Sequence, residues 1–163
     1  MDFIRDKRQL WLGLAAFLLI CFTAAGIGSF ATAPAIPTWY AGVNKPAWNP
    51  PSWLFGPVWT VLYAMMATAG WLVWRRLGLQ AAATPLFFFA VQLMLNTLWS
   101  IFFFGLHNPG LAFIEIILLW LSIAATIYFF WKVRPLAGAL LIPYLAWVSF
   151  AAFLNFTIWR LNP

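Results

Sequence analysis

The side chains able to make and break bonds are few and scattered. His107 is the single histidine, Cys21 the single cysteine, and Glu115 the only acid beyond Asp2 and Asp6. One histidine and one cysteine supply no multi-histidine metal site, no zinc cluster and no internal disulfide. Neither a metal site nor a catalytic set is therefore expected, and the absence of a phosphate-cradling glycine loop argues against an ATP-driven pump. Aromatic chemistry is abundant instead, with 12 Trp, 17 Phe and 4 Tyr. Phe55, Trp59 and Tyr63 recur at i, i+4, i+8, as do Gln92, Asn96 and Ser100, and again Trp147, Ala151 and Asn155. Each stripe is one face of a helix. Carboxamides facing hydrocarbon are costly, so Gln92 and Asn96 should look inward, towards a neighbouring helix or a ligand. Glu115 has two readings. An intramembrane carboxylate is the usual mark of proton coupling, but about 7 Å of rise into its helix also leaves it within reach of the interface near His107.

Only a membrane protein can position such residues. Of 163 residues, 65% are hydrophobic and 7% are charged, with a mean hydropathy of +0.90; a soluble domain carries about 25% charged residues. Charge-free blocks separated by prolines, glycines and basic residues give five helices, at about residues 10–30, 52–74, 86–104, 111–131 and 136–159. The expected fold is an all-α integral membrane protein, a single domain built as a bundle of five transmembrane helices. The first helix is expected to end before Ala33-Pro34, since proline removes a backbone donor. Ser52 offers an N-cap for the second, which Pro57 is expected to kink. The first loop, 31–51, interleaves Trp39, Tyr40 and Trp48 with Pro46, Pro50 and Pro51, a stiff composition suited to capping a flat apolar ligand or to lying among headgroups.

Arg5, Lys7 and Arg8 before an apolar run, with Ala31-Thr32-Ala33 after it, have the outline of a secretion signal. The run is too long for a signal core and long enough to span. The formal charge of +6 does not point to nucleic acid, because the cations sit in ones, twos and threes between apolar blocks. Seven of them (Arg5, Lys7, Arg8, Arg75, Arg76, Lys132, Arg134) share one side of a five-span topology, against Lys45 and Arg160 on the other. In a plasma membrane this puts the N-terminus in the cytoplasm; in an outer membrane the rule has no potential to act on. Trp11, Trp74, Trp131 and Trp159 fall at helix ends, where an indole favours the headgroup zone, whereas Trp59, Trp99, Trp120 and Trp147 fall within spans and need partners.

Three runs of residues carry a resemblance: Trp39-Tyr40 with Lys45-Pro46, Trp48-Asn49-Pro50-Pro51, Phe55, Trp59 and Tyr63; Gln92, Asn96 and Trp99-Ser100; and Pro143-Tyr144 with Trp147 and Asn155. In these the chain resembles the tryptophan-rich sensory protein / translocator protein family, also called the peripheral benzodiazepine receptor family. The resemblance implies a five-helix membrane bundle, a homodimer, that binds protoporphyrin-like tetrapyrroles, sterol-like lipids and benzodiazepine-site ligands under the first loop. The porphyrin is implied as a ligand and not as a prosthetic cofactor. Carried over by position, the ligand-binding residues would be Tyr40, Pro50, Phe55, Trp59, Asn96, Phe103, Trp147 and Ala151, with Trp59 and Trp147 as the central pair. Lys45 in the cap would meet a propionate. Where animal members close helix five with a Tyr-containing sterol pattern, this chain has Phe156. A sensor or carrier for porphyrins is the leading function. A proton-coupled exporter using Glu115, and light-dependent porphyrin breakdown, are the alternatives.

Overall fold

The computed structural model describes residues 6–163, so Arg5 of the cation count lies outside the described residues. The described residues contain helices and no strand, in the order α1 (Lys7–Ala35), α2 (Trp39–Gly42), α3 (Phe55–Ala81), α4 (Ala83–Ser100), α5 (Pro109–Val133), α6 (Pro135–Ala139) and α7 (Ile142–Leu161). Five segments are long and apolar enough to cross a membrane: α1, Ser52–Ala81, Ala83–Gly105, α5, and α6 with α7. Together they make an all-α integral membrane protein that crosses several times.

Helix ends differ from those expected, each for a local reason. The first helix does not stop before Pro34. A proline in the last turn forfeits only one bond, and the Thr38 hydroxyl donates to the Pro34 carbonyl at 2.7 Å, satisfying an acceptor the helix end leaves free. Ser52 is not the N-cap of the second span. It opens a 3-10 turn, Ser52–Leu54, with Pro51 as the preceding residue and no side-chain cap bond. Pro57 does not kink α3: it is the third helical residue, where no intrahelical donor is required, and Gly78 alone in that helix leaves helical geometry. The second span also runs through Arg75-Arg76, because charge sets the depth of a helix and not its end; the break comes at Gly78, whose φ of 77° favours glycine.

The third and fifth spans are less regular than expected. After Ser100 the chain widens into a π turn, Ile101–Gly105, closed by Leu106 N–H to Ile101 O at 2.8 Å. This turn buries Phe103. Asn108 then caps α5 by accepting from Leu111 N–H at 2.9 Å, with Pro109 at the first helical position. Helix five is broken and not continuous over 136–159. Pro143 cannot donate to Ala139, so α6 ends there, and Leu141 N–H turns back to Gly138 O at 3.0 Å before α7 begins.

Van der Waals fit holds such a bundle together, because lipid tails are as apolar as leucine. The α4–α5 hairpin stacks Phe88 on Phe129 at 4.9 Å and Phe89 on Phe130 at 5.8 Å. At the far end from the first loop, α1 is drawn onto α3: Trp71 Nε1 donates to Leu10 O at 3.0 Å, and the Phe17 ring lies against Gly70, where an added Cβ would come within 2.8 Å. Met66, Val73, Ile123, Tyr144 and Val148 form the sealed centre. Towards the first loop α1 and α3 part, and a cavity opens.

Candidate ligand-binding site

The cavity has a volume of about 530 Å³ and lies beneath the first loop, inside the ~300–1,000 Å³ usual for small-molecule sites. From α3 and the turn before it come Trp53, Phe55, Trp59 and Tyr63; from α4 and its π turn come Asn96, Trp99, Ser100 and Phe103; from α7 come Trp147, Phe150, Ala151 and Asn155. All three sequence stripes therefore face one space, except for Gln92. Seven of the eight carried-over residues, Tyr40, Phe55, Trp59, Asn96, Phe103, Trp147 and Ala151, line it; Pro50 does not.

Its floor is a closed hydrogen-bond chain. The Tyr63 hydroxyl donates to Asn96 Oδ1, and Asn96 Nδ2 donates to the Tyr144 hydroxyl at 2.9 Å, all three side chains being buried. Along the wall Trp99 Nε1 donates to Asn155 Oδ1 at 3.0 Å, and Asn155 Nδ2 donates to Pro109 O at 2.7 Å, tying α4, α7 and the start of α5 together. Buried polar groups are costly unless paired, and these pair with one another. Trp59 and Trp147 differ: their indole N–H groups make no hydrogen bond among the described residues, although both line the cavity. Trp59 leans on Tyr63 and Tyr144 (ring centroids 5.7 and 6.1 Å), and Trp147 on Phe55 and Phe150 (6.1 and 5.6 Å), so each stands on its own helix and touches a ring of the other's. Trp120 finds a partner elsewhere, donating to Ser149 Oγ at 2.8 Å.

The roof is pre-shaped. Tyr40 hydroxyl donates to Asn49 Oδ1 at 2.9 Å, and burial pushes its phenol above the ordinary value against the opposing effect of that bond. Lys45 does not line the cavity. Its ammonium is engaged by the carbonyls of Tyr40 and Val43 and sits 4.7 Å from the Tyr40 ring centre, which makes it a brace of the loop. Trp39 stacks flat on His107 at 4.6 Å and meets Phe103 edge-on at 5.6 Å, joining the roof to the third loop and to the cavity wall.

Glu115 is enclosed by the bundle, and it makes no bond to His107. It is 5% exposed on α5, and neither carboxyl oxygen has a hydrogen-bond partner among the described residues; His107 is stacked against Trp39. Gln92 is 1% exposed and its carboxamide is equally unpartnered, one turn below Asn96. Neither lines the cavity, and α5 contributes no lining residue. Among the described residues no group of His, Cys, Asp and Glu could hold a metal.

The wall contributed by α1 has no counterpart in the carried-over set. Phe22, Ala25, Ser29 and Ala33, with Gly28, Thr32 and Ile36, supply it. Ala25-Ser29-Ala33 and Gly28-Thr32-Ile36 recur at i, i+4, i+8, a signal of small residues readable in the sequence but shared with any close helix contact.

Comparison with known proteins gives the chain's relatives. The chain is 44% identical over 156 residues to the Tryptophan-rich protein TspO of Chlorobaculum tepidum, covering 93% of this chain and 97% of that protein. It is 44% identical over 126 residues to the Translocator protein of Homo sapiens, covering 76% and 75%. To the Tryptophan-rich sensory protein of Cereibacter sphaeroides it is 38% identical over 152 residues, covering 93% and 92%. The model of the TspO/MBR family matches residues 16–160, and the chain belongs to that family.

Proposed function

We propose that this protein is a membrane receptor or carrier for porphyrin-like tetrapyrroles and related flat hydrophobic ligands, held in the cavity under the first loop. The observation that carries the reading is the pair Trp59 and Trp147: two large aromatic side chains from two different helices that line one cavity of about 530 Å³, neither indole N–H being bonded among the described residues. Aromatic faces stabilise a planar ligand by ~0.5–1.5 kcal/mol each beyond its burial. A roof already braced by Lys45, Tyr40 and Asn49 loses little entropy on binding. Among the lining residues there is no Asp, Glu, His, Lys or Arg, so a ligand's carboxylates belong outside the cavity and its disc inside.

The exporter reading is less well supported. A proton-coupled carrier needs a titrating group against its substrate, and Glu115 is not among the residues that line the cavity. The N-terminal side of the bundle is proposed to face the cytoplasm in a plasma membrane, on the bias of Arg75, Arg76, Lys132 and Arg134 with the N-terminal cations, and the protein is proposed to act as a homodimer. Titration of the detergent-purified protein with protoporphyrin IX, in darkness and then under light, tests the function. Saturable quenching of tryptophan emission in the dark is expected, absence of quenching overturns the reading, and bleaching of bound porphyrin only in the light would establish the degradative variant.

A further inference from the structure

The exposed lining residues of the cavity cluster on two elements. Of its lining residues, those exposed on the molecular surface are Phe22, Ser29 and Ala33 of α1 and Ser52, Trp53, Gly56 and Thr60 at the start of the second span. Every lining residue from α2, α4, the π turn and α7 is buried or half-buried. The opening is thus a seam between α1 and α3, in the half of the bundle where those helices part. Its depth is set by its neighbours on the same helices: Phe30 is 85% exposed, Val61 58% and Ile27 50%. A run of large exposed apolar side chains on a membrane-spanning segment is the surface that hydrocarbon covers.

The roof is fastened where an aqueous route would have to pass. Asn162, beyond the end of α7, grips the first loop on both sides of one residue: Asn44 N–H donates to its Oδ1 at 3.0 Å, and its Nδ2 donates to Asn44 O at 2.9 Å and to Ile158 O at 2.8 Å. The Asn44 side chain returns a bond to Leu161 O at 3.5 Å. On the opposite flank Trp39 is stacked on His107.

We propose that the cavity exchanges its occupant with the lipid bilayer through the α1–α3 seam, not with water through the first loop, and that Asn162 is the positioning residue that keeps the roof shut. The inference rests on the reading of this cavity as a ligand site and adds its route and the class of molecule admitted. A ligand must partition into the membrane first, and an acyl chain is the natural occupant in its absence. Small residues make the seam passable. A Cβ built at Gly56, an exposed lining residue, meets no atom within 4 Å, which makes it the position at which to add bulk to the seam.

Access can be read without any ligand. A cysteine placed by Ala151→Cys on the α7 wall of the cavity, in lipid nanodiscs, is offered N-phenylmaleimide, which partitions into lipid, or a permanently charged methanethiosulfonate, which stays in water; the parent protein, whose only cysteine Cys21 is buried, is the blank. Labelling by the lipid-soluble reagent is expected, slowed at least tenfold by Gly56→Phe, while the charged reagent leaves the cysteine unmodified and Gly42→Phe on the roof causes no slowing. Ala33→Phe, filling the seam from the other helix, repeats the test should Gly56→Phe fail to fold. Modification by the charged reagent, faster still in Asn162→Ala and indifferent to Gly56→Phe, would overturn the proposal. Protoporphyrin IX stopped-flow quenching supplies the second arm: the filled seam should slow both association and dissociation. Absence of quenching together with the expected labelling pattern would reject the porphyrin reading and leave the lateral route standing.

Discussion

Trp59 and Trp147 are where the proposed chemistry is concentrated, and they give the sharpest test at the level of single residues. Removing either indole removes one aromatic face and an available donor, so Trp59→Ala and Trp147→Ala should each weaken protoporphyrin IX binding about tenfold, roughly 1.4 kcal/mol. Phenylalanine should restore part of the loss, and the double substitution should cost less than the sum because both faces bind one disc. Equilibrium quenching titrations check this, and unchanged affinity in both variants would count against the cavity. Asn96 has a different role. Its carboxamide joins Tyr63 to Tyr144 in the floor, so Asn96→Ala strands two buried hydroxyls and should lower stability by about 1–3 kcal/mol, seen as a fall in the thermal midpoint along with weaker binding. Glu115 should behave in the opposite way. Its oxygens have no partner and it does not line the cavity, so Glu115→Leu should raise the thermal midpoint by the equivalent of about 1–3 kcal/mol and leave porphyrin affinity unchanged. A pH-dependent flux in proteoliposomes abolished by Glu115→Gln in a folded protein would instead favour the exporter.

At the level of elements, close approach depends on a few glycines. Gly138, in the short α6, faces Trp131: an added Cβ would lie 2.7 Å from that indole and 3.1 Å from its Cα. Backbone cannot yield as a flexible side chain does, so Gly138→Ala should destabilise the bundle by about 1–3 kcal/mol, measurable by thermal denaturation in detergent. The same element shows what patterning conveys. Five spans were legible because twenty apolar residues between charges have only one stable solvent. Their ends were not, because a helix end is decided by which carbonyl or amide finds a substitute partner. Pro34 stays helical because in the last turn it costs a single bond, while Thr38 takes up the carbonyl freed at that end, and Pro143 breaks the fifth span because it has no N–H to offer Ala139.

For the whole molecule, the proposed orientation predicts that Leu106→Cys labels from outside intact cells, and Gln80→Cys only after permeabilisation; both positions are exposed in loops or at a helix end on opposite sides. The reverse pattern would invert the topology. The amino-acid sequence by itself determined the membrane, the number of spans, and three helical faces that would meet: a stripe at i, i+4, i+8 has one direction whatever it packs against. It also carried the motifs that place the chain in its family. Only the tertiary structure decided which groups are already spent. Lys45 braces a loop, Asn96 and Trp99 are bonded within the wall, and the indole N–H groups of Trp59 and Trp147 have no partner among the described residues. That Glu115 is enclosed was decided in the same way. Depth along a helix follows from residue count, but enclosure depends on which neighbour covers it, and that is fixed by contacts between segments far apart in the chain. The α1 wall and its seam belong there too, since small residues mark a close approach equally well whether the neighbour is a helix or an empty space.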